Sequence, residues 1–177
     1  MDSQEPIRIL ILSNHTHSIN KLLSALRIEG VDLKAQSVKS KKELYEQLNF
    51  LSWELILCYE DSSLSIEMVK DTLFKQGLEL PIIFLVDENS TIKSVELFKA
   101  GIQDCLSIYQ QCRIITAIKR EVNGHRLKLN HRLLQQNFKE LEKRHQALMD
   151  ASSSALAYIQ EGMHLYCNKS YAQIFQE

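Results

Sequence analysis

The sequence predicts a doubly wound α/β domain, followed by one long helix and a short β-hairpin. Three observations carry this. In the first 110 residues, five short apolar runs alternate with amphipathic stretches. Glycine (5) and proline (2) are too scarce for the many tight turns of a sandwich or barrel. From Arg113 onward, no turn signal stronger than the single Gly124 interrupts the chain before Ala151.

Taken in order, Ile7-Arg8-Ile9-Leu10-Ile11-Leu12 is brief, rich in β-branched residues and bounded by Pro6 and Ser13-Asn14, which predicts a buried strand. Ile19, Leu22, Leu23 and Leu26 then recur at helical spacing, with Ser18 as the expected N-cap and Gly30 as the stop. Val31–Val38 returns to a strand, and Lys41–Leu51 to a helix with Leu44 and Leu48 on one face. Leu55–Cys58 is the third strand. Ile66, Val69 and Leu73 mark a third helix, ended near Gly77. Pro81–Val86 is apolar throughout, as a central parallel strand should be. Ser90–Ala100 forms a fourth helix through Ile92, Val95, Leu97 and Phe98, closed by Gly101, and Cys105–Ile108 is the fifth strand. Right-handed crossovers between five such units give the flavodoxin-like order 2-1-3-4-5. Its working surface lies at the carboxyl ends of strands 1 and 3.

The helix from Arg113 to Asp150 carries two different stripes. Ile115, Ile118 and Val122 suit the covering of a sheet. Beyond them, Leu127, His131, Leu134, Phe138, Leu141, His145 and Leu148 follow one another at spacings of 4, 3, 4, 3, 4 and 3, a heptad seam. This predicts a parallel helix pair and a homodimer. His131 and His145 share one heptad position, so each would lie beside its twin. They are register-setting polar residues in the simplest reading, and a pH-sensitive pair in a sharper one. After the helix, Ala155–Gln160 and Met163–Cys167 form a hairpin about Glu161-Gly162, and a helix begins at Asn168. One hairpin and one helical turn bury too little to fold alone, so the chain is expected to end inside a domain.

Composition excludes several classes. The formal net charge is −1 with Lys and Arg dispersed, which argues against a nucleic-acid surface. The apolar runs are too short to span a bilayer, and Met1-Asp2-Ser3-Gln4-Glu5 is no secretory signal. Cys58, Cys105, Cys112 and Cys167 have no metal-ligand spacing, so reduced and mostly buried thiols in a bacterial cytoplasmic protein are expected. His15 and His17 lack Cys or carboxylate partners and predict no metal site. Asp87-Glu88 is expected to be a solvated acidic flank of the next helix. No phosphate loop or nucleophile–base motif occurs, so neither a cofactor nor an enzyme is expected.

The segment Trp53-Glu54-Leu55-Ile56-Leu57-Cys58-Tyr59 resembles the third strand of CheY-like response-regulator receiver domains. Together with Ile7–Leu12, Ala100-Gly101-Ile102-Gln103-Asp104-Cys105-Leu106, Leu148–Ser153 and Tyr158–Asn168, it is similar to the N-terminal part of FimX-like receiver–PAS–GGDEF–EAL proteins. The resemblance implies a receiver over residues 1–112, a signalling helix over 113–150 and an incomplete PAS domain over 151–177. It also implies a scaffold in cyclic-di-GMP signalling linked to type IV pili, with a protein partner from that pathway. The nucleotide-handling domains of that family do not occur in the chain, which therefore is not expected to bind cyclic di-GMP itself.

In receivers, an acidic pair after strand 1 holds Mg²⁺, and strand 3 ends in the aspartate that is phosphorylated. The matching positions are Ser13, Asn14 and Tyr59, all neutral. The switch hydroxyl falls on Val86 and the phosphate-binding lysine on Ile108. A phosphorylation-independent pseudo-receiver is therefore expected, serving dimerisation and docking. Two alternatives remain: phosphorylation in the Glu60/Asp61 region, and small-anion binding in the strand-1/strand-3 crevice, where Ser13-Asn14-His15-Thr16-His17 holds no glycine.

Overall fold

In the computed structural model, residues 6–14, 16–87, 90 and 94–174 are described. Strands β1 (Ile7–Leu12), β2 (Leu33–Val38), β3 (Leu55–Tyr59), β4 (Ile82–Val86) and β5 (Asp104–Ser107) form one parallel sheet in the order β2-β1-β3-β4-β5. Helices α1 (Thr16–Ile28), α2 (Lys41–Phe50), α3 (Ile66–Lys75), α4 (Ser94–Lys99) and α5 (Gln111–Ala151) connect or follow the strands. The expected doubly wound order is the observed one.

Alternate residues of each central strand serve opposite cores. Ile9, Ile11, Leu55, Leu57, Ile83 and Leu85 pack with Ile19, Leu22 and Leu26 of α1 and with Ile114, Ile118 and Val122 of α5. Leu10, Leu12, Ile56, Cys58, Ile82 and Phe84 face the other way, onto Leu44 and Leu48 of α2 and Val69 and Leu73 of α3. Strands buried on both faces must be apolar at every position, and for that reason the runs lack alternation.

Local signals set the helix starts. Ser40 caps α2 by accepting from Glu43 N–H at 3.3 Å, while the Glu43 carboxylate reaches back to Lys39 N–H at 2.9 Å. The Lys39 N–H holds the Glu43 carboxyl below its usual range. Ser65 caps α3 through Met68 N–H. Gly101 ends the α4 segment at φ 80°, and a Cβ there would meet the end of the Lys70 side chain.

Some boundaries differ from expectation. Helix α1 begins at Thr16, so Ser18 lies inside its first turn and is not the cap. Strand β2 starts at Leu33 because Val31 N–H is taken by Leu26 O in the helix exit. Strand β5 is Asp104–Ser107, and Ile108 leaves it while donating to Val86 O. Ile92 lies outside the described residues. Of the thiols, Cys58 is buried and Cys105 half-buried, but Cys112 and Cys167 are exposed. Cys112 sits on the outer side of the first turn of α5, away from Ile114 and Ile115.

The chain divides into two compact units, 1–127 and 128–177. In the first, α5 is fixed to the sheet by apolar packing and by two ion pairs. Arg120 meets Asp104 at 2.9 Å, and Arg126 Nε meets Glu54 Oε1 at 2.5 Å. The other oxygen of Glu54 accepts from Arg8 N–H at 2.9 Å, so the Glu54 carboxylate ties β1, β3 and α5 together.

The second unit holds the rest of α5, the antiparallel strands β6 (Ala157–Gln160) and β7 (Met163–Cys167), and α6 (Lys169–Ile174). Glu161 and Gly162 both take positive φ, 51° and 81°, the geometry of a two-residue turn matched to strand twist. Asn168, 1 % exposed, organises the unit. Its Oδ1 accepts from Leu156 N–H and Tyr171 N–H, and its Nδ2 donates to Met149 O, Ser152 O and Ser154 O. The hairpin, the helix after it and the last turn of α5 thus share one amide.

Removing that amide leaves several part-buried backbone groups without partners, each costing up to about 1–3 kcal/mol. Asn168→Ala should therefore abolish amide-exchange protection over residues 156–171 and leave the amides of the sheet unchanged. Equal loss in both units would contradict this division.

Candidate functional site

The five positions singled out from the sequence gather at the carboxyl ends of β1, β3, β4 and β5. Parallel strands in register bring them there: Leu12 pairs with Cys58, Tyr59 with Leu85, and Val86 with Ser107. Ser13, buried directly after β1, donates from Oγ to both oxygens of Asp61 at 3.0 and 3.1 Å. Asn14 N–H donates to Asp61 Oδ2 at 3.1 Å, and Asn14 Nδ2 donates to Asp61 O. A carboxylate from the β3–α3 loop thus lies where the β1 end presents its donors.

Glu60 acts on the neighbouring loop. Its N–H donates to Leu85 O, while its carboxylate accepts from Asp87 N–H at 3.1 Å and from Ser90 Oγ at 2.7 Å. Asp87 is exposed, as expected for a solvated flank, whereas Glu88 lies outside the described residues. His15 is also outside them, and of His17 only the backbone, within α1, is described.

Tyr59 turns inward. It is 6 % exposed and belongs to the apolar cluster of Ile9, Ile11, Leu57 and Leu85, with Ile108 packed against that cluster. Val86 packs against the opposite cluster. Burial, with a smaller effect from the Asp61 charge, pushes the Tyr59 phenol up to about 12. The same causes in the same order push the Cys58 thiol up to about 12, leaving it neutral and unreactive. At the five matched positions the sheet end carries a phenol ring, two branched apolar side chains, a hydroxyl and an amide, and the carboxylates beside them, Asp61 and Glu60, accept from protein donors. Among the described residues, no group of three His, Cys, Asp or Glu could hold a metal ion.

The second candidate surface is the seam on α5. Leu127, His131, Leu134, Phe138, Leu141, His145 and Leu148 are all exposed, with Leu134 at 67 %, Phe138 at 61 % and Leu148 at 73 %. The hairpin leaves the seam open. It is held through Tyr166, which donates to Asp150 Oδ1 at 3.0 Å and accepts from Gln146 Nε2 at 2.9 Å. Gln146 and Asp150 point roughly 150° round the helix from Leu141, His145 and Leu148. The sequence reading missed this latch, and also the parts of Glu60 and Asp61 as loop anchors. Both depend on contacts between residues distant in the chain, for which spacing gives no signal.

No protein-family model matches the chain, and no curated protein does. Solved structures do. The receiver domain of the Francisella response regulator 1452 is 19% identical, with a TM-score of 0.55 over 67% of this chain and 98% of its own. The receiver domain of the sensor histidine kinase PA1611 from Pseudomonas aeruginosa, which coordinates magnesium in its active-site cleft, is 15% identical, with a TM-score of 0.53 over 67% and 98%. A fusion containing the yeast Spc42 trimeric coiled coil is 15% identical, with a TM-score of 0.58 over 83% and 99%. The five-stranded sheet with its helices has the CheY-like receiver fold.

The buried phenol makes a prediction about alkaline pH. Its value in the fold, about 12, lies above the ordinary 10, so the native state keeps a proton that the unfolded chain loses. Stability therefore falls as pH rises through that window, by about 3 kcal/mol from this group. The near-ultraviolet phenolate signal should show a late phase that Tyr59→Phe removes. A late phase that persists in the variant would contradict the assignment.

Proposed function

We propose that the chain is a pseudo-receiver module whose work is homodimerisation and protein docking, not phosphotransfer. Its parts are a degenerate receiver over 1–112, a signalling helix over 113–150 and the start of a PAS domain over 151–177. The pathway that fits the sequence resemblance is cyclic-di-GMP signalling linked to type IV pili, with the nucleotide handled outside this chain.

The observation that carries the reading is the exposed heptad seam. Five apolar side chains per helix, Leu127, Leu134, Phe138, Leu141 and Leu148, lie in line and in water. Covering them in a helix pair is worth on the order of 10 kcal/mol or more before entropy is counted. Association costs roughly 4–15 kcal/mol, so the seam is of the right size to sustain a reversible dimer. The neighbour that contains a trimeric coiled coil agrees with an oligomerising use of the helix.

Phosphorylation at Glu60 or Asp61 is disfavoured because both carboxylates already accept hydrogen bonds from Ser13, Asn14, Asp87 and Ser90. Anion binding in the crevice is disfavoured for the same reason: the Ser13 hydroxyl and the Asn14 N–H serve Asp61.

A charge in mid-seam tests the reading. Phe138→Glu removes the central apolar residue and places like charges together, an effect of about 3 kcal/mol. Sedimentation equilibrium should show self-association weakened at least about a hundredfold, with the sheet intact. An unchanged mass would overturn the seam as the contact.

A further inference from the structure

The proposed pairing gives one pair of seam-side residues a use that packing does not require. Glu142 and His145 stand three residues apart on α5, so their side chains are neighbours on one face. Both are exposed, and neither takes part in a hydrogen bond or ion pair among the described residues. Of the nearby cations, Arg144 is bonded to Glu140, Lys143 lies roughly on the opposite side of the helix from His145, and Lys139, one turn before Glu142, lies on the side of it away from His145. A carboxylate and an imidazole so placed are two ligands of a metal site, and one chain supplies no third.

A second copy supplies the remainder. In a parallel, in-register pair, His145 lies beside its twin at the helix interface, and each helix brings Glu142 one turn earlier. Two imidazoles and two carboxylates make a four-coordinate set suited to zinc, at Zn–N of about 2.0–2.1 Å and Zn–O of about 2.0–2.2 Å. The Glu-x-x-His spacing is the one by which helix bundles direct both side chains at a metal. His131 occupies the same heptad position but has Lys128 three residues before it, a cation where a ligand would be needed.

We propose that two copies of α5 bind one divalent cation of the zinc class through Glu142 and His145 of each chain. This rests on the parallel dimer proposed above. The metal would lock register and orientation at the far end of the seam, where His145 otherwise interrupts the leucines.

The test is zinc chloride titrated into the whole, chelator-treated chain, followed by calorimetry and by light scattering. The expected result is one zinc per two chains and a higher melting temperature of the helical signal. His145→Asn keeps a polar, register-setting residue at the position; it should retain the dimer and lose the zinc, as should Glu142→Gln, while His131→Asn should lose neither. A dimer that takes up no zinc refutes the site and leaves the pairing standing. Zinc bound equally by His145→Asn sits elsewhere, on the exposed Cys112 or Cys167 thiols, and also refutes it. A chain that is monomeric with and without zinc refutes the pairing, and the site with it.

Discussion

The sheet can cover only the first part of α5, because strands of 4–6 residues span at most about 20 Å, whereas a helix of 41 residues runs about 60 Å. Ile114, Ile115, Ala117, Ile118 and Val122 find the core, and Arg120 and Arg126 fasten the next turns to Asp104 and Glu54. Beyond Leu127 the helix must find other partners. Its polar flanks can face water, but its leucines cannot do so without cost, and the hairpin takes a different side. The seam, its histidines and the proposed metal site all follow from that mismatch of lengths.

The end of the sheet is held by carboxylates that serve protein donors. Ser13 and Asn14 place neutral donors at the β1 end, and an uncompensated buried donor is costly. Asp61, two residues after Tyr59, supplies the acceptor. Glu60 does the same for the β4–α4 loop through Asp87 and Ser90. The phenol ring of Tyr59 and the branched side chain of Ile108 extend the apolar core toward this end. The carboxylates at this sheet end thus act as acceptors for protein donors, and the fold keeps its shape.

The sheet was legible in the sequence because burial on both faces leaves little choice of residue: Ile9 to Leu12 and Ile82 to Leu85 admit no polar side chain. The long helix was legible because nothing in it breaks a helix, and its exposed apolar stripe because the period departs from 3.6. The end of α1 nearest β1 was misjudged, since Ser18 has the chemistry of a cap but lies two residues within the helix. The Asp61, Glu60 and Glu54 contacts were not legible. Each spans some thirty to seventy residues, and a carboxylate in a loop has the same appearance in sequence whether it faces water or a buried hydroxyl. Asn168 was read only as the start of a helix, because its five side-chain partners are backbone groups that no residue type announces.

The central claim is that the exposed part of α5, and not the sheet domain, joins two copies. The most direct measurement is the solution mass, by light scattering at several concentrations, of the chain beside a version ending at Leu127. That stop retains Val122 in the core and the Arg126–Glu54 pair. The account predicts a dimer for the whole chain and a monomer for the shortened one. Two dimers would place the contact on the sheet domain, two monomers would remove homodimerisation altogether, and either result would contradict it.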